Sequence, residues 1–234
     1  GNPAARLRGE LVQIGADGLL LELSGEHGVA RLESGLWGRF NAENLLLAAG
    51  ILLAEGWPLA RVAAALTDCT APPGRMQRVP GSAGQPAVLV DFAHTAEALG
   101  KALQAARAHC RGRLWCVFGC GGNRDSGKRA PMGRVAVEFA DQVIVTDDNP
   151  RDEDSRQIIA DILVGMDSRD TVQVIPDRAA AIQRAIHSAA SDDVILIAGK
   201  GHEQTQTVAG VSRPFSDLAV AAAALSGAQQ GQGA

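Results

Sequence analysis

The apolar positions of this chain change their period once. Over 10–32, ELVQIGADGLLLELSGEHGVARL, short apolar runs alternate with Gly-containing turns, which predicts β-strands joined as hairpins. NAENLLLAAGILLAEGWP (41–58) is a longer segment rich in Ala and Leu. It predicts a buried helix stopped near Gly56 and Pro58, with a second helix near 59–68. TAPPGRMQRVPGSAGQPA (70–87) is rich in Pro and Gly and reads as a hinge into a second domain, with the boundary near 72.

Beyond the hinge, strand-like and helix-like segments alternate. Strands are predicted at 87–92, 113–119, 142–146, 172–175 and 193–199, and helices near 96–109, 130–140, 155–166 and 178–190. Within the first of these helices Ala98, Leu99, Ala102, Leu103 and Ala106 share one face. Such alternation predicts an α/β fold, a mostly parallel sheet with helices on both faces. A final helix is expected over 216–225, and the small, polar residues 227–234 are expected to form a disordered tail.

Composition narrows the class without choosing a chemistry. The 234 residues are 46% hydrophobic and 21% charged, as in a soluble globular protein, and the net charge of −4 offers no basic face to nucleic acid. No apolar run has the length of a membrane span, and the first residues lack the apolar core of a signal peptide. Cys69, Cys110, Cys116 and Cys120 form no CxxC pair and no zinc-ligand spacing, and Cys116 falls in an apolar strand where a reduced, buried thiol is expected. These features point to the cytoplasm, with no membrane partner and no metal ligands.

In an open parallel sheet, ligands bind beyond the carboxyl ends of the strands. Four unusual stretches fall at such ends: DFAH (91–94), GCGGNRDSGKR (119–129), DDNPR (147–151) and GKGHE (199–203). Each has an ordinary reading and a functional one. Gly119, Gly121 and Gly122 let backbone N–H groups approach an anion, or simply make a turn. Arg124, Lys128 and Arg129 suit a phosphate or carboxylate, or a solvated loop. In DDNPR, Pro150 stiffens the loop and aims Asn149 and Arg151, whose planar fork holds a carboxylate; the alternative is an Asp/Asn turn. Glu203 offers an acceptor to an ammonium, while a lone His202 is given no catalytic role. Asp91 either meets ribose hydroxyls or caps the next helix.

Taken together the motifs resemble the Mur ligases. The matching stretches are GRFNAENLLLA (38–48), PGRM (73–76), DFAHT (91–95), LWCVFGCGGNRDSGKRAPMG (114–133), TDDNPR (146–151) and AGKGHE (198–203), in the family's order. The resemblance is closest to the members that use ATP and Mg²⁺ to phosphorylate the D-glutamate carboxylate of UDP-MurNAc-L-Ala-D-Glu. An amino acid then attacks the acyl phosphate, which extends the peptidoglycan precursor. It implies that 73–226 form a Rossmann-like C-terminal domain and 1–72 the last part of an α/β ATPase central domain. It also implies that Arg124, Asp148, Asn149, Pro150, Arg151, Gly199 and Glu203 form the amino-acid site, with Asp-Asn-Pro-Arg marking users of meso-diaminopimelate instead of lysine. Diaminopimelate carries a second carboxylate for Arg151 to grip. Asn41, Asn44, Arg75, Asp91, His94 and Lys128 resemble residues on the nucleotide side of the cleft.

The sequence departs from the family's pattern in places. It contains no G-x-x-G-K-[ST] phosphate loop, and the family's Mg²⁺ ligands and UDP-sugar domain are expected upstream. DFAHTAE replaces the usual DYAHTPD, and Leu218 in FSDLAV stands where many relatives carry Arg. The chain by itself is therefore expected to bind rather than turn over. A further alternative is another ATP-dependent amide ligase, such as a folylpolyglutamate synthase, against which the pairing of DNPR with GHE argues.

Overall fold

The computed structural model describes residues 5–168 and 170–230. The chain divides into two compact units, Gly1–Ala71 and Pro72–Ala234. In the first, β1 (Leu7–Gly15), β2 (Gly18–Gly25) and β3 (Gly28–Ser34) form an antiparallel meander, followed by α1 (Arg39–Ala54) and α2 (Leu59–Thr67). Period-two alternation turns Leu19, Leu21 and Leu23 of β2 inward. They meet Ala42, Leu45, Ala49 and Leu53 of α1, spaced at helical intervals, and Leu59, Val62 and Leu66 of α2. Gly56, at φ 85°, follows the end of α1, and α2 begins directly after Pro58.

The second unit is built on a six-stranded sheet. Its strands are β4 (Gln77–Val79), β5 (Ala87–Asp91), β6 (Leu114–Phe118), β7 (Gln142–Val145), β8 (Val172–Val174) and β9 (Val194–Ala198). The order across the sheet is β4-β5-β9-β6-β7-β8; β4 is antiparallel to its neighbour and the other pairs are parallel. The helices are α3 (Ala96–Arg107), α4 (Arg129–Phe139), α5 (Ser155–Leu163), α6 (Arg178–Ser188) and α7 (Asp217–Gln230). The mostly parallel α/β sheet read from the alternation is present, and its strands are apolar on both faces, as a sheet covered twice must be. On one face Val88, Val90, Val117, Ile144, Ile195 and Ile197 pack against Ala181, Ile182, Ala185 and Ile186 of α6 and Ala221, Ala224 and Leu225 of α7. Helices α3, α4 and α5 pack in series, α3 against β6 and β9 and α4 against β7.

Three features depart from the sequence expectations. The edge strand β4 and the hairpin β10 (Thr205–Val208) and β11 (Val211–Pro214) were not anticipated. Helix α7 runs to Gln230, taking in the first four residues of the segment 227–234 expected to be disordered, and 231–234 lie outside the described residues. Its apolar face gains enough by packing on the sheet to carry the helix into that polar stretch. Cys116 and Cys120 are buried thiols, and burial pushes Cys120 up to about 12, which leaves it unreactive. Among the described residues no helix is long and apolar enough to cross a membrane.

Candidate functional site

The strand order brings the four motif loops together. Because β9 inserts between β5 and β6, the carboxyl ends of β5, β9, β6 and β7 are neighbours. They deliver DFAH, GKGHE, GCGG and DNPR side by side along one edge of the second unit.

The loop after β7 is pinned from two sides. Gly122 N–H donates to the Asn149 carbonyl at 2.9 Å. A Cβ on Gly122 would lie 1.9 Å from the Pro150 carbonyl oxygen, so this close approach requires glycine. On the other side Arg151 N–H donates to Thr207 O at 2.9 Å, and Ala209 N–H donates to Arg151 O at 2.6 Å, tying the loop to the β10–β11 hairpin. These bonds hold Arg151 at φ 55°, a left-handed conformation that costs an L-residue about 1–2 kcal/mol. The guanidinium is aimed as well, since Nη1 donates to Gly122 O at 2.7 Å. No carboxylate among the described residues forms an ion pair with it.

Next to Arg151 lies a buried polar cluster. Asn149 Nδ2 donates to Glu203 Oε2 at 2.8 Å, and Asn149 Oδ1 accepts from Thr207 N–H at 3.0 Å and from Lys200 Nζ at 3.1 Å. Lys200 Nζ also donates to Glu203 Oε2 at 3.0 Å and lies 3.7 Å from Asp148 Oδ1. Gly201, at φ 55°, follows the lysine in the loop after β9; a Cβ there would meet Phe92 Cβ at 2.7 Å.

The carboxylates are tuned in opposite directions. Burial pushes Asp148 above the usual aspartate range, against the pull of Arg178 and Lys200, and its Oδ1 has no hydrogen-bond partner. Burial also pushes Glu203 up. Hydrogen bonds from Lys200 and Asn149 and the charges of Lys200 and Arg151 outweigh it, so Glu203 titrates below the usual glutamate range. Behind the cluster the fully buried Arg178 makes a bidentate pair with Asp217 at 2.7 and 2.8 Å and donates to Ala198 O at 3.0 Å, joining α6, α7 and the end of β9.

Of the predicted amino-acid residues, Asp148, Asn149, Pro150, Arg151, Gly199 and Glu203 come together here. Gly199 N–H donates to Asp91 O at 3.1 Å. Arg124 is exposed on the loop after β6, with its Cγ near Gly121. Arg129, read from the sequence as one of three loop cations, is instead buried and committed to Glu153 at 2.7 Å and Asp161 at 2.9 Å. Lys128 donates to His94 O at 2.8 Å.

On the DFAH side, Asp91 accepts Met76 N–H at 2.7 Å and Ala93 N–H at 2.8 Å, and the cap of α3 is Thr95, not Asp91. Arg75 lies 4.9 Å over the Phe92 ring, and the His94 and His202 rings stand 4.7 and 5.6 Å from it. Asn41 and Asn44 belong to the first unit, on α1, where they bond each other at 3.0 Å. Sequence reasoning gave no role to Lys200, Arg178, Asp217 or the hairpin. The alternation TQTV-AG-VSRP was a usable hairpin signal.

A Gly loop, a stiffened Asn-Pro-Arg loop and a Gly-Lys-Gly loop converge on one sheet edge, where the Arg151 guanidinium stands near the Asp148 and Glu203 carboxylates. Residues 74–201 match the model of the Mur ligase, glutamate ligase domain, and the chain belongs to this family. It is 50% identical over 213 residues to the UDP-N-acetylmuramoyl-L-alanyl-D-glutamate–2,6-diaminopimelate ligase of Pseudomonas aeruginosa, covering 91% of this chain and 44% of that protein. It is 52% identical over 204 residues to the Xylella fastidiosa ligase of the same name, covering 87% of this chain and 41% of that one. A solved structure of a ligase of this name overlays with a TM-score of 0.81 at 36% identity, over 97% of this chain and 47% of that one. The chain thus spans less than half the length of these relatives.

Proposed function

We propose that this chain is the amino-acid-binding part of an ATP-dependent ligase that adds meso-diaminopimelate to UDP-MurNAc-L-Ala-D-Glu. The observation that carries the reading is the placement of Arg151, fixed through backbone and side chain beside a cluster of Asn149, Glu203 and Asp148. Arg151 is suited to the carboxylate at the far end of diaminopimelate, and Glu203 and Asp148 to the ammonium on the same carbon. Lysine has the amine but lacks that carboxylate, so it would leave the buried side of Arg151 unmatched. The names of the relatives support this choice of substrate.

In this reading the chain contributes positioning. The far end of the amino acid is clamped by DNPR and GHE, which leaves its other amine to reach the activated carboxylate, and loss of translational freedom lowers the barrier. ATP supplies the activation of that carboxylate when bound. Arg75, His94 and Lys128 of the second unit are proposed to line its outer side, while Asn41 and Asn44 lie on α1 of the first unit. Asp91, whose two oxygens already receive backbone N–H groups, serves at least to hold Met76 and Ala93. Among the described residues no three His, Cys, Asp or Glu side chains group to hold a metal ion. The cytoplasm, where the nucleotide precursor is made, is the proposed compartment.

The reading is tested by replacing the matching portion of the P. aeruginosa relative with this sequence and measuring phosphate release dependent on amino acid. Turnover with meso-diaminopimelate and not with L-lysine is expected. Equal use of lysine by an active chimera would overturn it.

A further inference from the structure

Lys200 has no role in the reading above, yet it is fully buried. An ammonium withdrawn from water needs partners, and those it has all belong to the two clamp loops. Nζ reaches Asn149 Oδ1 at 3.1 Å and Glu203 Oε2 at 3.0 Å, with Asp148 Oδ1 at 3.7 Å. An ammonium only donates, so the Asn149 amide must turn its oxygen to Lys200, which leaves Nδ2 to donate to Glu203. Both bonds fall on Glu203 Oε2, and Oε1 has no hydrogen-bond partner among the described residues. The charges follow the same logic: Lys200 is a cation close to both the Asp148 and the Glu203 carboxylates, while Arg151 serves one carboxylate.

We propose that Lys200 is a positioning residue of the amino-acid site, orienting the Asn149 amide and the Glu203 carboxylate and offsetting the repulsion between the two carboxylates of its acidic half. The proposal rests on the amino-acid reading given above. Glu203 faces Lys200, Asn149 and Arg151, and Asp148 faces Arg178, Lys200, Glu203 and Asp217. Without Lys200 the two carboxylates repel each other with less compensation, and one of them takes up a proton closer to neutrality.

The test compares the wild-type chain with Lys200→Met. Calorimetry follows meso-diaminopimelate binding from mildly acidic to mildly alkaline pH, and NMR follows the Glu203 and Asp148 carboxyl carbons. Wild-type affinity is expected to be flat across this range. The variant is expected to bind roughly thirtyfold more weakly or worse at neutral pH, with partial recovery as pH rises. In Lys200→Ala, added ethylammonium restores part of the affinity and ethanol does not, a distinction that a merely space-filling role would not make. A folded Lys200→Met with unchanged affinity and unchanged carboxyl titrations overturns the proposal. If the wild type binds no diaminopimelate, the amino-acid reading fails, and the carboxyl titrations still decide the role of Lys200. If neither variant folds, the wild type decides: a Glu203 carboxyl titrating at or above the usual glutamate range overturns the proposal.

Discussion

The Asn149 side-chain amide donates to Glu203 Oε2 at 2.8 Å, and this bond joins the loop after β7 to the loop after β9 across 54 residues of sequence. The first loop carries the Arg151 guanidinium and the second the Glu203 carboxylate, and β9, the last strand of this sheet in sequence, lies between β5 and β6.

Arg151→Ala is expected to weaken meso-diaminopimelate binding by about 2–5 kcal/mol, the range for losing one side of a desolvated charge pair, while the weak binding of L-lysine stays as it was. Arg151→Gly should bind as poorly but be more stable than Arg151→Ala by about 1 kcal/mol, because glycine adopts φ 55° without strain. Calorimetry and thermal denaturation of the two variants separate the fork from the backbone; equal losses for both amino acids would remove Arg151 as selector.

Gly122→Ala is expected to cost about 1–3 kcal/mol of stability and to abolish amino-acid binding, since the new methyl would lie 1.9 Å from Pro150 O and push the DNPR loop off the Gly loop. A variant with wild-type melting and affinity would show that the two loops do not depend on each other.

Arg178→Met leaves Asp217 buried and unpaired and should destabilise the second unit by about 3–5 kcal/mol, whereas the double change Arg178→Met with Asp217→Leu should recover much of the loss. Denaturant unfolding of the single and double variants measures the difference. No recovery in the double variant would place the contribution of Arg178 in its bonds to Ala198 O and Asp147 O instead.

The pH dependence follows from Glu203. Its folded value lies below its unfolded one, so its stabilising contribution is complete above the ordinary glutamate range and is lost as pH falls through the lower folded value. Ammonium binding at this carboxylate obeys the same sign. Glu203→Gln should therefore lower affinity at neutral pH without unfolding the domain. An unchanged affinity for the amino acid would remove Glu203 from the site.

Much of the second unit was legible because its strands are buried on both faces and its helices on one, so the sequence alternates between continuous apolar runs and periodic ones. The edge strand β4 has three residues and no such run, and the exposed β10–β11 hairpin has no buried face to give it one. The motif loops were legible as loops at strand ends, but not their neighbours, since nothing local tells β9 to enter between β5 and β6. The burial of Lys200 was hidden for a related reason. A lysine between two glycines reads as a solvated turn, and only its partners on another loop make the interior tolerable. Arg129 misled in the same way, its cation consumed by Glu153 and Asp161 from the following loop and helix.

The most direct test of the central claim is calorimetric titration of this chain with meso-diaminopimelate and, in parallel, with L-lysine. All the residues argued to grip the far end of the amino acid lie in the second unit. The account predicts saturable binding of diaminopimelate and far weaker binding of lysine. Lysine bound as tightly as diaminopimelate would contradict it.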